Sequence, residues 1–337
     1  MRVLMLGGTV FLGRHIVETL LARGHDVTLF HRGKRGGELF PEVERVLGDR
    51  ATDLDRLPEG ATWDAVVDTC GFVPGVVAAS AQALRERAGR YVFVSSISVH
   101  DISQPRIDES SPTLELPDGA SRDEMTPETY GALKLLCEQE VVAAFGADRT
   151  LVVRPGLIVG PHDPSDRFTY WPLRFARGGD VLVPDAFDMP VQYIDVRDLA
   201  EFVVDALEKG HTGVVNTVGP AEPTTLGALF QACAAACESN ANAVLMDREF
   251  LRRCETGAWI DLPVWAEDGF ENDGITRTDP SRGIAMGLRY RPLAETIADT
   301  LRWAQHERGD APFKAGLTPA REAALFALAA HEGSRRH

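Results

Sequence analysis

The sequence predicts an α/β fold, a doubly wound parallel sheet with a smaller, mostly helical C-terminal domain. Three observations carry that expectation. Short apolar runs alternate with helical segments through the N-terminal half, and a glycine-rich loop joins the first run to the first helix. The chemically distinctive residues Gly7, Asp49, Cys70 and Ser96 fall where the strands end. Alternation of this kind builds a parallel sheet covered by helices on both faces, with ligands at the carboxyl ends of the strands.

Arg2-Val3-Leu4-Met5-Leu6 is an apolar run closed by Gly7-Gly8, the pattern of a strand buried on both faces. Gly7-Gly8-Thr9-Val10-Phe11-Leu12-Gly13 leads into a helix from Arg14 to Arg23 that Gly24 stops. His25 to Phe30 reads as the next strand. Strand, glycine turn, helix and strand within about 30 residues make a βαβ unit of Rossmann type. Glycines there let backbone amides approach a pyrophosphate at the positive end of the helix, so the loop predicts dinucleotide binding.

Further strands are expected at Val43 to Leu47, Ala65 to Thr69, Tyr91 to Ser95 and Thr150 to Arg154, with helices at Ala78 to Arg87 and Tyr130 to Phe145. From Gly156 the alternation loosens. Pro161 to Pro190 reads as a loop-bearing segment over the ligand, Val191 to Leu207 as strand then helix, and Val214 to Val218 as another strand. Beyond Pro220 the chain reads as mostly helical. Thr318-Pro319 places a capping hydroxyl before a proline at the first helical position and opens a last, Ala-rich helix. The expected organisation is a dinucleotide-binding domain from residues 1–160 and 190–218, and a substrate domain from 161–189 and 219–310. A linker and terminal helix fill 311–337.

The 337 residues are 44% hydrophobic and 25% charged, a globular composition long enough to bury a substantial core. A net charge of −15 argues against nucleic acid or an anionic membrane as partner, since both require a basic face. No apolar run reaches the roughly 18–20 residues of a membrane span. The five cysteines (Cys70, Cys137, Cys233, Cys237, Cys254) form no C-x-x-C pair, so neither a disulfide framework nor a zinc site is expected. His162-Asp163 lacks further ligands, and no metal is expected. The expected location is the cytoplasm, and the expected partner a small molecule.

Thr129-Tyr130-Gly131-Ala132-Leu133-Lys134 carries the chemistry. Tyr130 and Lys134 are four residues apart, so on a helix they share a face. A phenol titrating near about 10 is a poor proton carrier at neutral pH, and an ammonium beside it favours the phenolate. Ser96 is placed to complete the site with a hydroxyl.

These segments jointly resemble the short-chain dehydrogenase/reductase superfamily, in its extended or extended-like (atypical) branch, the NAD-dependent epimerase/dehydratase family. The resemblance rests on the Gly7–Gly13 loop, Val94-Ser95-Ser96-Ile97-Ser98-Val99-His100, Tyr130 to Lys134, Arg154-Pro155-Gly156-Leu157-Ile158-Val159-Gly160-Pro161, and Gln192-Tyr193-Ile194-Asp195-Val196-Arg197-Asp198. It spans roughly residues 1 to 305. It implies that Tyr130 exchanges a proton with the substrate oxygen while hydride moves to or from nicotinamide. Ser96, preferred over Ser98, hydrogen-bonds that oxygen. Lys134 binds the nicotinamide ribose and lowers the Tyr130 pKa. Gly7, Thr9, Val10, Phe11, Leu12, Gly13 and Pro155 are implied to contact the cofactor. So are Asp49 and Arg50 beyond the third strand, and Cys70 near the ribose. A homodimer is compatible with relatives that pair through two helices of this domain.

An acidic residue at the end of the second strand would bind the adenosine ribose, but this chain has His31, Arg32, Gly33, Lys34 and Arg35 there. That basic cluster favours NADP over NAD. Val10 replaces the usual middle glycine. Leu157 stands where the branch's sugar-nucleotide enzymes carry Asn, and Val191 where they tend to carry Arg. Both losses disfavour a nucleotide sugar. Ser98, His100, Arg167, Phe168, Trp171 and Tyr193 are the expected substrate contacts, suiting a ring-bearing or partly apolar molecule. Trp259 and Trp265 read either as the far wall or as core. The leading expectation is an NADP-preferring oxidoreductase acting on a carbonyl or alcohol. The alternatives are an epimerase or dehydratase that oxidises its substrate transiently with tightly held NAD, and a non-catalytic nucleotide- or RNA-binding protein.

Overall fold

A computed structural model describes residues 1–266, 274–332 and 335–336. The N-terminal half alternates as expected: β1 (Arg2–Leu6), α1 (Leu12–Ala22), β2 (Asp26–His31), β3 (Glu44–Leu47), β4 (Trp63–Asp68), α2 (Pro74–Leu84), β5 (Ala88–Val94), α3 (Tyr130–Phe145) and β6 (Thr150–Pro155). α2 starts four residues earlier than the apolar pattern suggests, because Pro74 supplies the fixed φ of a first helical position.

Then come β7 (Ile158–Val159), α4 (Tyr170–Ala176), β8 (Asp180–Pro184), β9 (Pro190–Val191), β10 (Ile194–Asp195), α5 (Val196–Glu208) and β11 (Gly213–Thr217). The remainder holds β12 (Thr224–Thr225), α6 (Leu226–Ala236), β13 (Asn242–Met246), α7 (Arg248–Arg253), α8 (Ser281–Ala285), α9 (Leu293–Trp303) and α10 (Pro319–Glu332).

Seven parallel strands form the main sheet in the order β11-β6-β5-β4-β1-β2-β3. Val3, Leu4, Met5 and Leu6 are all fully buried, which is why that strand reads as a continuous apolar run. α1 and α5 pack together, as do α2 and α3. One apolar core forms around Ile16, Leu20, Val203 and Leu207, and a second around Val77, Leu84, Val141 and Phe145. The strand order reverses between β1 and β4, and the loops above that reversal are where ligands bind in such sheets.

A third core gathers Phe168, Trp171, Phe175, Phe230, Phe250, Trp265 and Leu325. It is less helical than expected. β8 pairs in parallel with β13, and Arg335–Arg336 adds an antiparallel strand. Five-residue apolar runs such as Asn242–Met246 do not distinguish strand from helix by period, which explains the difference. Pro161 to Pro190, expected to be loop, contains α4 and β8. Among the described residues no helix is long and apolar enough to cross a membrane.

Candidate active site

A cleft of about 1030 Å³ opens at the carboxyl ends of β1, β4 and β5. Its floor is the glycine loop. A Cβ on Gly13 would lie 2.9 Å from the Gly8 nitrogen and 3.0 Å from its Cα, so only glycine lets α1 approach the loop this closely. Phe11 turns the chain at φ 41°, a conformation costly for a side chain of its size. α1 then begins without a capping side chain, leaving its first amides toward the cleft. Val10 lies on the outer edge, 38% exposed.

Basic residues rim one end. Arg32, Lys34 and Arg35 are exposed along the cleft. His31 is buried, and its Nδ1 accepts from the Gly33 amide at 3.0 Å, so the proton sits on Nε2, which has no partner. Burial, assisted by Arg45, pushes this imidazole below its ordinary pKa and keeps it neutral. Asp49 is exposed beside this rim, its carboxylate accepting from the Ala51 amide.

Arg50 departs from expectation. Although it borders the cleft, its guanidinium donates to buried Asp68 at 2.7 Å and to Ser80. Its charge is spent holding β4 rather than free for a ligand. Burial works to raise the Asp68 carboxyl, and Arg50 prevails, holding it below its ordinary value. Cys70 lies 3.6 Å from the same guanidinium, its thiol pushed up to about 11 by burial and Asp68.

The other end brings Ser96, Ser98, Tyr130, Lys134 and Pro155 onto one wall. Ser96 Oγ accepts from the Ser98 amide at 3.1 Å and donates to Ser98 Oγ at 3.0 Å. α3 can lie against this turn because residue 131 is glycine: a Cβ there would meet the Ser98 carbonyl oxygen at 1.9 Å. Burial raises the Tyr130 phenol, while its hydrogen bond to Ser96 and the charge of Arg167 draw it down, for a net rise. Lys134 is not among the groups acting on that phenol, against the expectation for a shared helix face. Its Nζ reaches past Tyr130, donating to the Gly71 carbonyl at 2.7 Å and the Val94 carbonyl at 2.8 Å, 4.3 Å from the Phe93 ring centre. Burial pulls this ammonium down to about 8.

Four expected substrate contacts do not face the cleft. His100 is fully buried, its Nε2 3.1 Å from Arg154 Nη1 and its Nδ1 3.3 Å from the Ser111 carbonyl. Arg154 in turn forks onto Glu138 at 2.9 and 2.6 Å, so the arginine joins β6 to α3 and the histidine ties the segment after β5 to that pair. Phe168, Trp171 and Tyr193 belong to the third core, with Trp171 Nε1 donating to the Pro263 carbonyl at 2.7 Å. α4, which carries Trp171, packs against α6 and α9, partners too distant in sequence to foresee.

Arg167 does line the cleft, with Leu157, Asp163, Ser165, Val191, Trp259 and Val264, whereas Trp265 is core. Asp163 and Ser165 carried no signal beyond lying in the His162–Trp171 segment. Asp163 is 3% exposed, and its Oδ1 accepts from the Ser165 amide and hydroxyl at 2.8 and 2.7 Å. Its Oδ2 has no partner, and burial raises its pKa.

Comparison with known proteins bears on the fold and the family. A family model described as the NAD dependent epimerase/dehydratase family matches residues 3–219. The chain is 28% identical over 328 residues to the epimerase family protein SDR39U1 of Bos taurus, covering 86% of this chain and 95% of that one. It is 30% identical over 242 residues to the 2-alkyl-3-oxoalkanoate reductase of Stenotrophomonas maltophilia (strain K279a), covering 62% and 67%. The crystal structure of human SDR39U1 (isoform 2) with NADPH superposes with a TM-score of 0.59 at 21% identity, covering 90% of this chain and 99% of that one. The family match takes in the glycine loop, the Ser96 turn, the Tyr130 helix and the sheet out to β11, and on that span the chain belongs to the NAD dependent epimerase/dehydratase family.

Proposed function

We propose that this chain is an NAD(P)-dependent oxidoreductase that interconverts a carbonyl and an alcohol on a small organic substrate, with NADP preferred. The observation that carries the reading is the convergence of Ser96, Tyr130 and Lys134 with the glycine loop in one cleft. The residues fit a dinucleotide. The cradle at Gly13 has no room for a side chain, and the unpaired His31 Nε2–H lies at the adenosine end. Lys134 spends two of its three N–H donors on Gly71 and Val94, which leaves one for a ribose hydroxyl. When bound, the nicotinamide supplies or accepts a hydride.

Tyr130 delivers the proton to the substrate oxygen in reduction and removes it in oxidation. Burial keeps it as neutral phenol at physiological pH, the form that donates, which supports reduction. Ser96 Oγ, tethered by the Ser98 amide, hydrogen-bonds the same oxygen. Arg32, Lys34 and Arg35 support NADP, since no carboxylate ends β2 and a 2′-phosphate would meet cations.

The epimerase or dehydratase reading shares this half-reaction and returns the hydride to the same substrate. The family description and the SDR39U1 relatives favour it. Calorimetric titration of cofactor-free protein with NADPH and NADH tests both. NADPH binding about 10-fold tighter or more is expected from the added charge pairs. Failure of both cofactors to bind would end the proposal. Copurified NAD with turnover in the absence of added cofactor would favour the epimerase reading.

A further inference from the structure

The substrate end of the cleft is short of free polar groups. Leu157, Val191, Trp259 and Val264 are apolar surfaces there. Gln192 also borders it, but both ends of its amide are engaged, Nε2 donating to the Thr278 carbonyl at 2.9 Å and Oε1 accepting from the Thr278 amide at 2.8 Å. A sugar nucleotide, with its base, ribose, diphosphate and hexose, would find few partners on such a wall.

Arg167 is the exception. Its Nε donates to Ser165 Oγ at 3.1 Å, and that hydroxyl donates to buried Asp163 at 2.7 Å. The loop thus fixes the guanidinium's stem, and among the described residues Nη1 and Nη2 make no hydrogen bond and no carboxylate lies within ion-pair distance of them. The neighbouring acids make no ion pair with it: Asp163 accepts from Ser165 through Oδ1, its carboxyl feeling the Arg167 charge only at longer range, and Asp166 takes Arg308 at 2.8 and 3.0 Å. An exposed arginine in this position presents an open two-pronged donor, the geometry that matches a carboxylate. Arg167 and Tyr130 line the same cleft, and the guanidinium's charge draws the Tyr130 phenol down.

We propose that the substrate is an oxo or hydroxy acid whose carboxylate, close to the reacting carbon, is held by Arg167 while its apolar body lies on Leu157, Val191, Trp259 and Val264. This rests on the oxidoreductase reading and narrows it. The carboxylate takes no part in bond making. It fixes the substrate so that the carbonyl oxygen faces Tyr130 and Ser96.

The test uses the protein saturated with NADP⁺ and three probes, decanoate, decanamide and UDP-glucose, titrated calorimetrically against wild type, Arg167→Met and Arg167→Lys. Decanoate is expected to bind about 10- to 100-fold tighter than decanamide, the range for one charge-assisted pair at a partly exposed site. Arg167→Met should abolish that difference and Arg167→Lys retain part of it, with decanamide affinity unchanged in both. Equal binding of acid and amide by wild type, absence of binding by either, or an acid preference that survives in Arg167→Met overturns the proposal. UDP-glucose binding tighter than decanoate and lost in Arg167→Met overturns it in favour of a diphosphate. NADP⁺ affinity, measured first on the same proteins, separates the two readings. No cofactor binding removes the parent reading and this one with it, whereas tight NADP⁺ binding without an acid preference removes only this one.

Discussion

Replacing Lys134 by methionine tests how the site treats its buried cation. Lys134 is 2% exposed and its pKa falls to about 8 from an ordinary 10.5, chiefly through burial and against the pull of Asp68. At about 1.36 kcal/mol per pKa unit, that drop corresponds to about 3 kcal/mol of folding free energy at neutral pH. The unfolded lysine keeps its proton until near 10.5, and the folded one releases it near 8. Between those values the unfolded chain binds more protons, so stability rises with pH. The penalty is complete below about 8 and gone above about 10.5. Other groups titrate in that window, but they are common to wild type and Lys134→Met, and the difference between the two isolates Lys134. Urea unfolding of both cofactor-free proteins at pH 7.0 and 10.5 should show wild type gaining about 3 kcal/mol on the variant over that interval. A flat difference, within about 0.5 kcal/mol, would refute the reasoning. It would mean that the Gly71 and Val94 carbonyls solvate the ammonium as well as water does.

Three further outcomes are expected. Tyr130→Phe keeps the ring and loses the proton, so turnover of a carbonyl substrate should fall about 10²- to 10⁴-fold while NADPH affinity, read by calorimetry, stays within about twofold. Asp68→Asn leaves the Arg50 guanidinium without its counter-charge beneath the cleft, where Asp68 also accepts from Tyr91 at 2.8 Å and the Cys70 amide at 3.0 Å. A loss of about 3–5 kcal/mol is expected in urea unfolding. Leu325→Ala empties a fully buried site where α10 meets the third core and should cost about 2–5 kcal/mol. An unchanged unfolding midpoint there would show that α10 frays independently of the body.

The parts of the site that sequence reveals are those set by local geometry. A glycine loop between strand and helix, a serine at a strand end, and Tyr130 one turn from Lys134 need only the strand–helix alternation to be placed. Direction beyond the first turn is another matter. Lys134 shares a helix face with Tyr130, yet its flexible stem carries the charge to carbonyls beyond β4 and at the end of β5. Arg50 is expected at the cofactor from its place after β3, but its partner, Asp68, ends a different strand and is not visible in sequence. Phe168 and Trp171 look like ligand anchors because a run of aromatics beside prolines resembles a pocket loop. Which face of α4 is covered is decided by Phe230, Leu325 and other residues far along the chain. The terminal helix has no role legible in sequence, but Glu322 receives Arg174 at 2.8 Å, and Lys314 and Arg308 hold the Pro164–Asp166 loop that precedes Arg167.

One helix concentrates the energetic cost of the site. Tyr130, Lys134 and Glu138 follow one another at four-residue intervals along α3, and all three point inward. A helix evolved for packing alone would place leucine or alanine there. Two of the three find compensation. Tyr130 is uncharged, with Ser96 drawing its phenol down, and Glu138 meets the two-pronged fork of Arg154 at 2.6 and 2.9 Å. Arg154 also contacts His100, immediately beyond the Ser96 turn, so the same fork holds the serine and the tyrosine in register. Of the three, only Lys134 faces neutral carbonyls and aromatic rings, with no carboxylate in ion-pair contact among the described residues. Its burial penalty is offset only in part, by two carbonyls and the more distant charges of Asp68 and Glu138. A ribose hydroxyl accepting the third N–H would reduce it, which couples cofactor binding to stability. Saturating NADPH should then stabilise wild type more than Lys134→Met, by RT times the logarithm of the ratio of their NADPH dissociation constants.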